Sequence, residues 1–138
     1  MNDVERIERA MVAIRRRQTR RVLAGEGEPV GQAFDVLDVI EGSSEPTTVS
    51  AVAEALSVDQ PRASKLVAAA VAQGLIRRLA DQEDGRRSVL VLTEPGLEVL
   101  AAAHARRRAA FDAAMAGWAE HERAEFARLL ARFVAGMS

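Results

Sequence analysis

The chain has 138 residues, 49% of them apolar and 28% charged, with a formal net charge of −1. That is the composition of one soluble globular domain, or of one domain with extra helices. There is no cysteine, which excludes disulfides, thiolate metal sites and thiol redox chemistry. No apolar run reaches the ~18 residues of a membrane-spanning helix, so no membrane partner is expected.

Alanine is abundant and aromatic residues are few, which favours helix. Asp3 to Ala24 carries Val4, Ile7, Met11 and Ile14 at three- and four-residue steps, the spacing of a helical apolar stripe. Its arginines (Arg15, Arg16, Arg17, Arg20 and Arg21) read as a solvated face. Gly25-Glu26-Gly27-Glu28-Pro29 breaks that helix. A second helix is expected from Val30 to Glu41, with Phe34, Leu37 and Ile40 on its core face.

After the loop Gly42–Pro46, Thr48 is suited to cap a short helix ending near Leu56, with Val49, Val52, Ala53 and Leu56 inward. Ser57-Val58 makes a turn. Asp59 then caps a helix whose first turn tolerates Pro61, because that N–H lacks an intrahelical partner. Leu66, Val67, Ala70 and Val71 form its buried stripe, and Gly74 fits the position just past its end. Leu75–Leu79 and Ser88–Leu92 read as strands joined by a polar tip from Asp81 to Arg87, with Gly85 at a turn.

Thr93 caps a long helix starting at Glu94-Pro95, with Leu97, Leu100, His104, Phe111, Met115 and Trp118 along one side. A last amphipathic helix starts near His121, its apolar face formed by Phe126, Leu129, Leu130, Phe133, Val134 and Met137. The expected fold is mainly α with a small β-hairpin wing: a winged helix-turn-helix flanked by dimerisation helices. Residues 1–138 form a single unit of this kind. The DNA-binding lobe spans 30–93, and the helical dimerisation region spans 1–24 and 94–138.

Residues 60–73 meet the demands of a helix entering a major groove ~12 Å wide: one apolar face for its own domain and one short or flexible polar face. On the polar face Arg62 suits guanine, Gln60 suits adenine, Ser64 suits a base or a phosphate, and Lys65 (the only lysine) suits a phosphate. At the hairpin tip Arg86 and Arg87 are placed for a minor groove or a phosphate, and Asp84 can pair with an arginine to stiffen the tip. From Gln60 to Thr93 there are six basic residues against three acidic, a local excess on a nearly neutral chain. The acidic run Asp81-Gln82-Glu83-Asp84 lacks the ligand spacing of a calcium loop.

Asp84-Gly85-Arg86, followed by Leu92-Thr93 and Gly96, resembles the wing signature of MarR-type transcriptional regulators. Leu56-Ser57-Val58 through Gly74-Leu75-Ile76-Arg77-Arg78 resembles that family's recognition-helix region, and the order of the flanking helices extends the resemblance over almost the whole chain. The resemblance implies a homodimer on double-stranded DNA with a pseudo-palindromic operator, with Arg86 in the minor groove and Asp84 as its structural partner. It also implies repression relieved by a small molecule bound between the dimer helices and the DNA-binding lobe. Met11, Phe34 and His104 are the candidate residues for that effector. The absence of cysteine excludes the peroxide-sensing branch, and the absence of tyrosine departs from a tyrosine-lined phenolic pocket.

Two rival functions are weaker. His104 and His121 are the only histidines, and no phosphate loop or His-carboxylate metal spacing accompanies them, so neither catalysis nor a cofactor is expected. A winged helix that binds protein would not need arginines at its tip. The charged start of the chain lacks an apolar signal core, so a cytoplasmic location is the expectation.

Overall fold

The computed structural model describes residues 1–23 and 33–137. Among them are six helices and one two-stranded hairpin: α1 (Asp3–Leu23), α2 (Ala33–Gly42), α3 (Val49–Leu56), α4 (Gln60–Ala72), β1 (Ile76–Ala80), β2 (Ser88–Leu92), α5 (Glu94–Ala114) and α6 (Glu120–Ala135). The chain divides into two compact units, Met1–Ala101 and Ala102–Ser138, with the boundary inside α5. The expected break after α1 and the expected start of the second helix at Val30 lie outside the described residues.

In the first unit, α1 is started by Asn2, whose side-chain oxygen accepts from the Glu5 amide at 2.9 Å. Its apolar residues Val4, Ile7, Met11 and Ile14 are all exposed. The core gathers Phe34, Val36 and Leu37 of α2, Val52 of α3, Ala63, Val67 and Ala70 of α4, and Ile76 and Leu90 of the hairpin. Burying one large apolar side chain stabilises by about 2 kcal/mol. That packing is what holds α2 and α3, since isolated helices shorter than ~12 residues are marginal in water. Ile40, Val49, Leu56 and Val71, expected inside, are only half-buried, and Val36 and Ala63 complete the core in their place.

Each cap has a chemical cause. The Thr48 hydroxyl accepts from the Ala51 amide at 3.1 Å, and the Asp59 carboxylate accepts from the Arg62 amide at 2.8 Å. Between these helices Ser57 adopts a left-handed conformation (φ 55°, ψ 45°). There the Val58 amide reaches the Ala53 carbonyl at 3.0 Å, closing the turn. Helix α4 ends the same way on Gly74 (φ +76°), with the Gly74 amide on Val71 O at 2.9 Å and the Leu75 amide on Ala70 O at 3.1 Å. Leu75 is occupied by this cap, which is why β1 begins at Ile76 rather than at the expected Leu75.

Strands β1 and β2 pair antiparallel, with Ile76 opposite Leu92 and Ala80 opposite Ser88. A single bridge from Thr47 adds to the outer side of β2, with the Leu90 amide on Thr47 O at 2.8 Å. The hairpin is thereby fastened to the segment that starts α3. It is also fastened to α5: the Thr93 hydroxyl donates to Gly74 O at 2.6 Å and accepts from the Gly96 amide at 3.2 Å. Gly96 packs directly on the Leu75 backbone, where an added Cβ would lie 2.1 Å from the Leu75 carbonyl oxygen.

In the second unit, Arg123 of α6 caps the C-terminal turn of α5. Its guanidinium donates to the Asp112 carboxylate at 2.6 Å and to Met115 O at 2.9 Å. Gly117 turns the chain at φ +82°, and Trp118, beyond the end of α5, meets Phe126 with ring centroids 5.5 Å apart. Leu97 and Phe111, expected along one side with Leu100, are exposed, whereas Leu100 is buried. No residue of α6 is buried, its apolar face from Phe126 to Val134 is exposed, and so is Met137 beyond its end.

Candidate nucleic-acid interface

In the first unit α4 and the loop joining β1 to β2 present exposed basic side chains, as do α1 and β1. Ala63, Leu66, Val67 and Ala70 fix which side of α4 faces the core. At 100° per residue the opposite ridge runs through Pro61, Lys65 and Ala68, with Ser64 and Ala69 beside it. All five are exposed. Lys65 therefore stands at the middle of the outward ridge. Gln60 and Arg62, also exposed, lie on its flanks near the N-terminal end, and the Arg62 backbone is tied to Asp59. Small alanines around Lys65 leave the helix free to approach a groove floor closely.

The wing loop is ordered by its acidic residues. The Asp84 carboxylate accepts from the Arg86 amide at 3.1 Å and lies 3.5 Å from Arg86 Nε. The Arg86 side chain is 94% exposed all the same. Arg87 is directed elsewhere: its Nε lies 3.5 Å from the Asp81 carboxylate, a group only 14% exposed. Asp81 also accepts from the Glu83 amide at 2.9 Å and donates its own amide to Arg87 O at 3.0 Å. Spacing in the sequence singles out Asp84 and passes over Asp81. The signal for Asp81 is its position, opposite Arg87 at the neck of the loop. Gly85 is at the turn as expected, but its φ is not positive and an added Cβ would meet nothing within 4 Å.

The three candidate effector residues divide between the two units, Met11 and Phe34 in the first and His104 in the second. Met11 is exposed on α1, and Phe34 is 1% exposed inside the core of the first unit, where it offers no surface to a ligand. His104 is half-buried on α5 in the second unit. A shallow depression on α1, lined by Glu8, Arg9, Val12, Ala13 and Arg16, includes none of them. Among the described residues no group of three or more His, Asp or Glu is arranged to hold a metal ion, and no helix is long and apolar enough to cross a membrane.

Residues 31–87 match the MarR family. The chain is 32% identical over 87 residues to the uncharacterized HTH-type transcriptional regulator YxaD of Bacillus subtilis (strain 168), a match spanning 63% of this chain and 61% of that protein. Its fold is similar to that of a MarR family protein from Bacillus stearothermophilus, with TM-score 0.79 and 19% identity over 99% of this chain and 98% of that one. It is also similar to a mutant of S. aureus MepR bound to an oligodeoxyribonucleotide, with TM-score 0.61 and 16% identity over 100% of this chain and 99% of that one. The helix-turn-helix, the hairpin and their flanking helices thus recur together in the fold of a MarR family protein, and residues 31–87 of this chain are similar to the MarR family.

Proposed function

We propose that the chain is a sequence-specific DNA-binding transcriptional regulator: a dimeric repressor whose DNA affinity a small-molecule effector lowers. The observation that carries this reading is the pairing of an outward Lys65 ridge on α4 with an almost fully exposed Arg86 at the wing tip. A helix in the major groove and an arginine in the adjacent minor groove use those two features together. MepR, of the same fold, is bound to DNA. In this reading Lys65, Ser64, Gln60 and Arg62 meet the major groove, and Asp84 holds the Arg86 backbone.

The exposed apolar faces of α1 and α6 support the dimer, because exposed large apolar residues at helical spacing are what a second subunit would cover. A two-fold dimer also suits half-sites one helical turn, ~34 Å, apart. The effector belongs to the family resemblance, with Met11 and His104 as the candidate contacts. Phe34 could serve only if the core opened.

The test is binding to DNA fragments from around the protein's own gene, at two salt concentrations, with stoichiometry. Salt-sensitive binding of one dimer to a short inverted repeat is the expected result. No binding to any fragment at low salt would overturn the proposal in favour of a protein-interaction module.

A further inference from the structure

The adjacent arginines of the wing each lie 3.5 Å from an aspartate carboxylate but differ in exposure, 94% for Arg86 and 57% for Arg87. Arg86 projects into solvent from a backbone fixed by Asp84, whereas Arg87 turns back to a carboxylate that is largely enclosed. Residues 81 and 87 are joined twice, through the Asp81 amide on Arg87 O at 3.0 Å and through the side-chain ion pair at 3.5 Å. The second oxygen of Asp81 holds the Glu83 amide at 2.9 Å, so one carboxylate spans both sides of the loop. The Arg87 amide closes the inner turn on Asp84 O at 3.0 Å.

We propose that Asp81 and Arg87 form a positioning pair that closes the neck of the wing and holds Arg86 outward, so that each wing contacts DNA with one arginine rather than two. This deepens the DNA-binding reading and rests on it. The entropic logic is that of any presented side chain: a loop already closed loses less freedom when its tip enters a groove. Arg87 serves this role better than lysine would, because its planar guanidinium presents its donors in a preorganised fork and loses less side-chain freedom on pairing.

The two roles open to Arg87 differ in sign. If Asp81 were only a negative charge beside a DNA contact, Asp81→Asn would raise affinity, since it removes repulsion of phosphate. If Asp81 closes the loop, the same change lowers affinity, by about fivefold for a half-enclosed ion pair with a backbone hydrogen bond.

The experiment measures operator binding against salt for the full-length wild type, Asp81→Asn, Arg87→Gln and the double variant. Amide hydrogen exchange of the free proteins is followed in parallel. The expected results are a similar loss in both single variants, a double variant no weaker than either, and salt slopes equal to wild type. Exchange at the Arg87 amide should quicken in both single variants while the helical core stays protected. Tighter binding by Asp81→Asn would overturn the proposal. A slope flattened by about one unit per wing in Arg87→Gln would overturn it too, by making Arg87 a phosphate contact. Should the wild type bind no DNA, the regulator reading fails, and the exchange rates still decide whether the pair closes the loop.

Discussion

Gly85 and Gly96 both lie in the stretch that resembles the wing signature, but the structure separates them. Gly96 lies against the Leu75 backbone, where no side chain can move aside, and a methyl group there would sit 2.1 Å from the carbonyl oxygen. Gly96→Ala should therefore destabilise by about 2–3 kcal/mol, as overpacking against backbone does. Gly85→Ala, with open space around it and an ordinary φ, should leave the melting temperature within a degree or two of wild type. Thermal unfolding of the two variants side by side checks both. Ser57 gives a third case. It occupies a left-handed conformation that glycine adopts without steric cost, so Ser57→Gly should stabilise by about 0.5–1 kcal/mol in denaturant unfolding. Destabilisation instead would mean that the lost unfolded-state restraint outweighs the relieved strain.

At the scale of elements, the helix-turn-helix was legible because each boundary carries its own chemistry. Thr48, Asp59 and Thr93 cap where their side chains predict, and Gly74 ends α4. The bridge from Thr47 to β2 left no trace in the sequence, because one backbone hydrogen bond imposes no pattern on side chains. The role of Asp81 was hidden for a related reason: its partner is six residues away across a turn that closes only in the folded chain. The ranking of the α4 side chains also needed the observed burial, which sets Lys65 at the centre and Arg62 at the edge. For the wing, Arg86→Ala should weaken binding to all sequences alike and flatten the salt slope by about one unit per wing. Titrations of the operator and a scrambled duplex at several salt concentrations check this, and an unchanged slope would remove the wing tip from the interface.

At the scale of the whole molecule, the apolar periodicities of α1 and α6 are legible as stripes, yet in the described chain neither stripe is buried. A sequence pattern reports that a face is apolar and not which chain covers it. If a second copy covers α6, then Leu130→Glu should place a charge in that interface. The expected outcome is a monomer by sedimentation at micromolar concentration, together with loss of tight operator binding. A variant that stays dimeric would move the interface elsewhere. The division of the chain within α5 gives this experiment a clean background, since the residues that form the core of the first unit all precede α6.

Lys65 is the only lysine in the chain, and it stands exposed at the centre of the α4 ridge. Apart from the α-amine, an amine-directed acylating or reductively alkylating reagent thus has a single address on this protein. One mass increment would mark the ridge without engineered residues. Its rate of appearance, with and without a bound duplex, would be a label-based footprint of that ridge. A reagent that neutralises the ammonium would at the same time erase the only charge on the outward line of the helix.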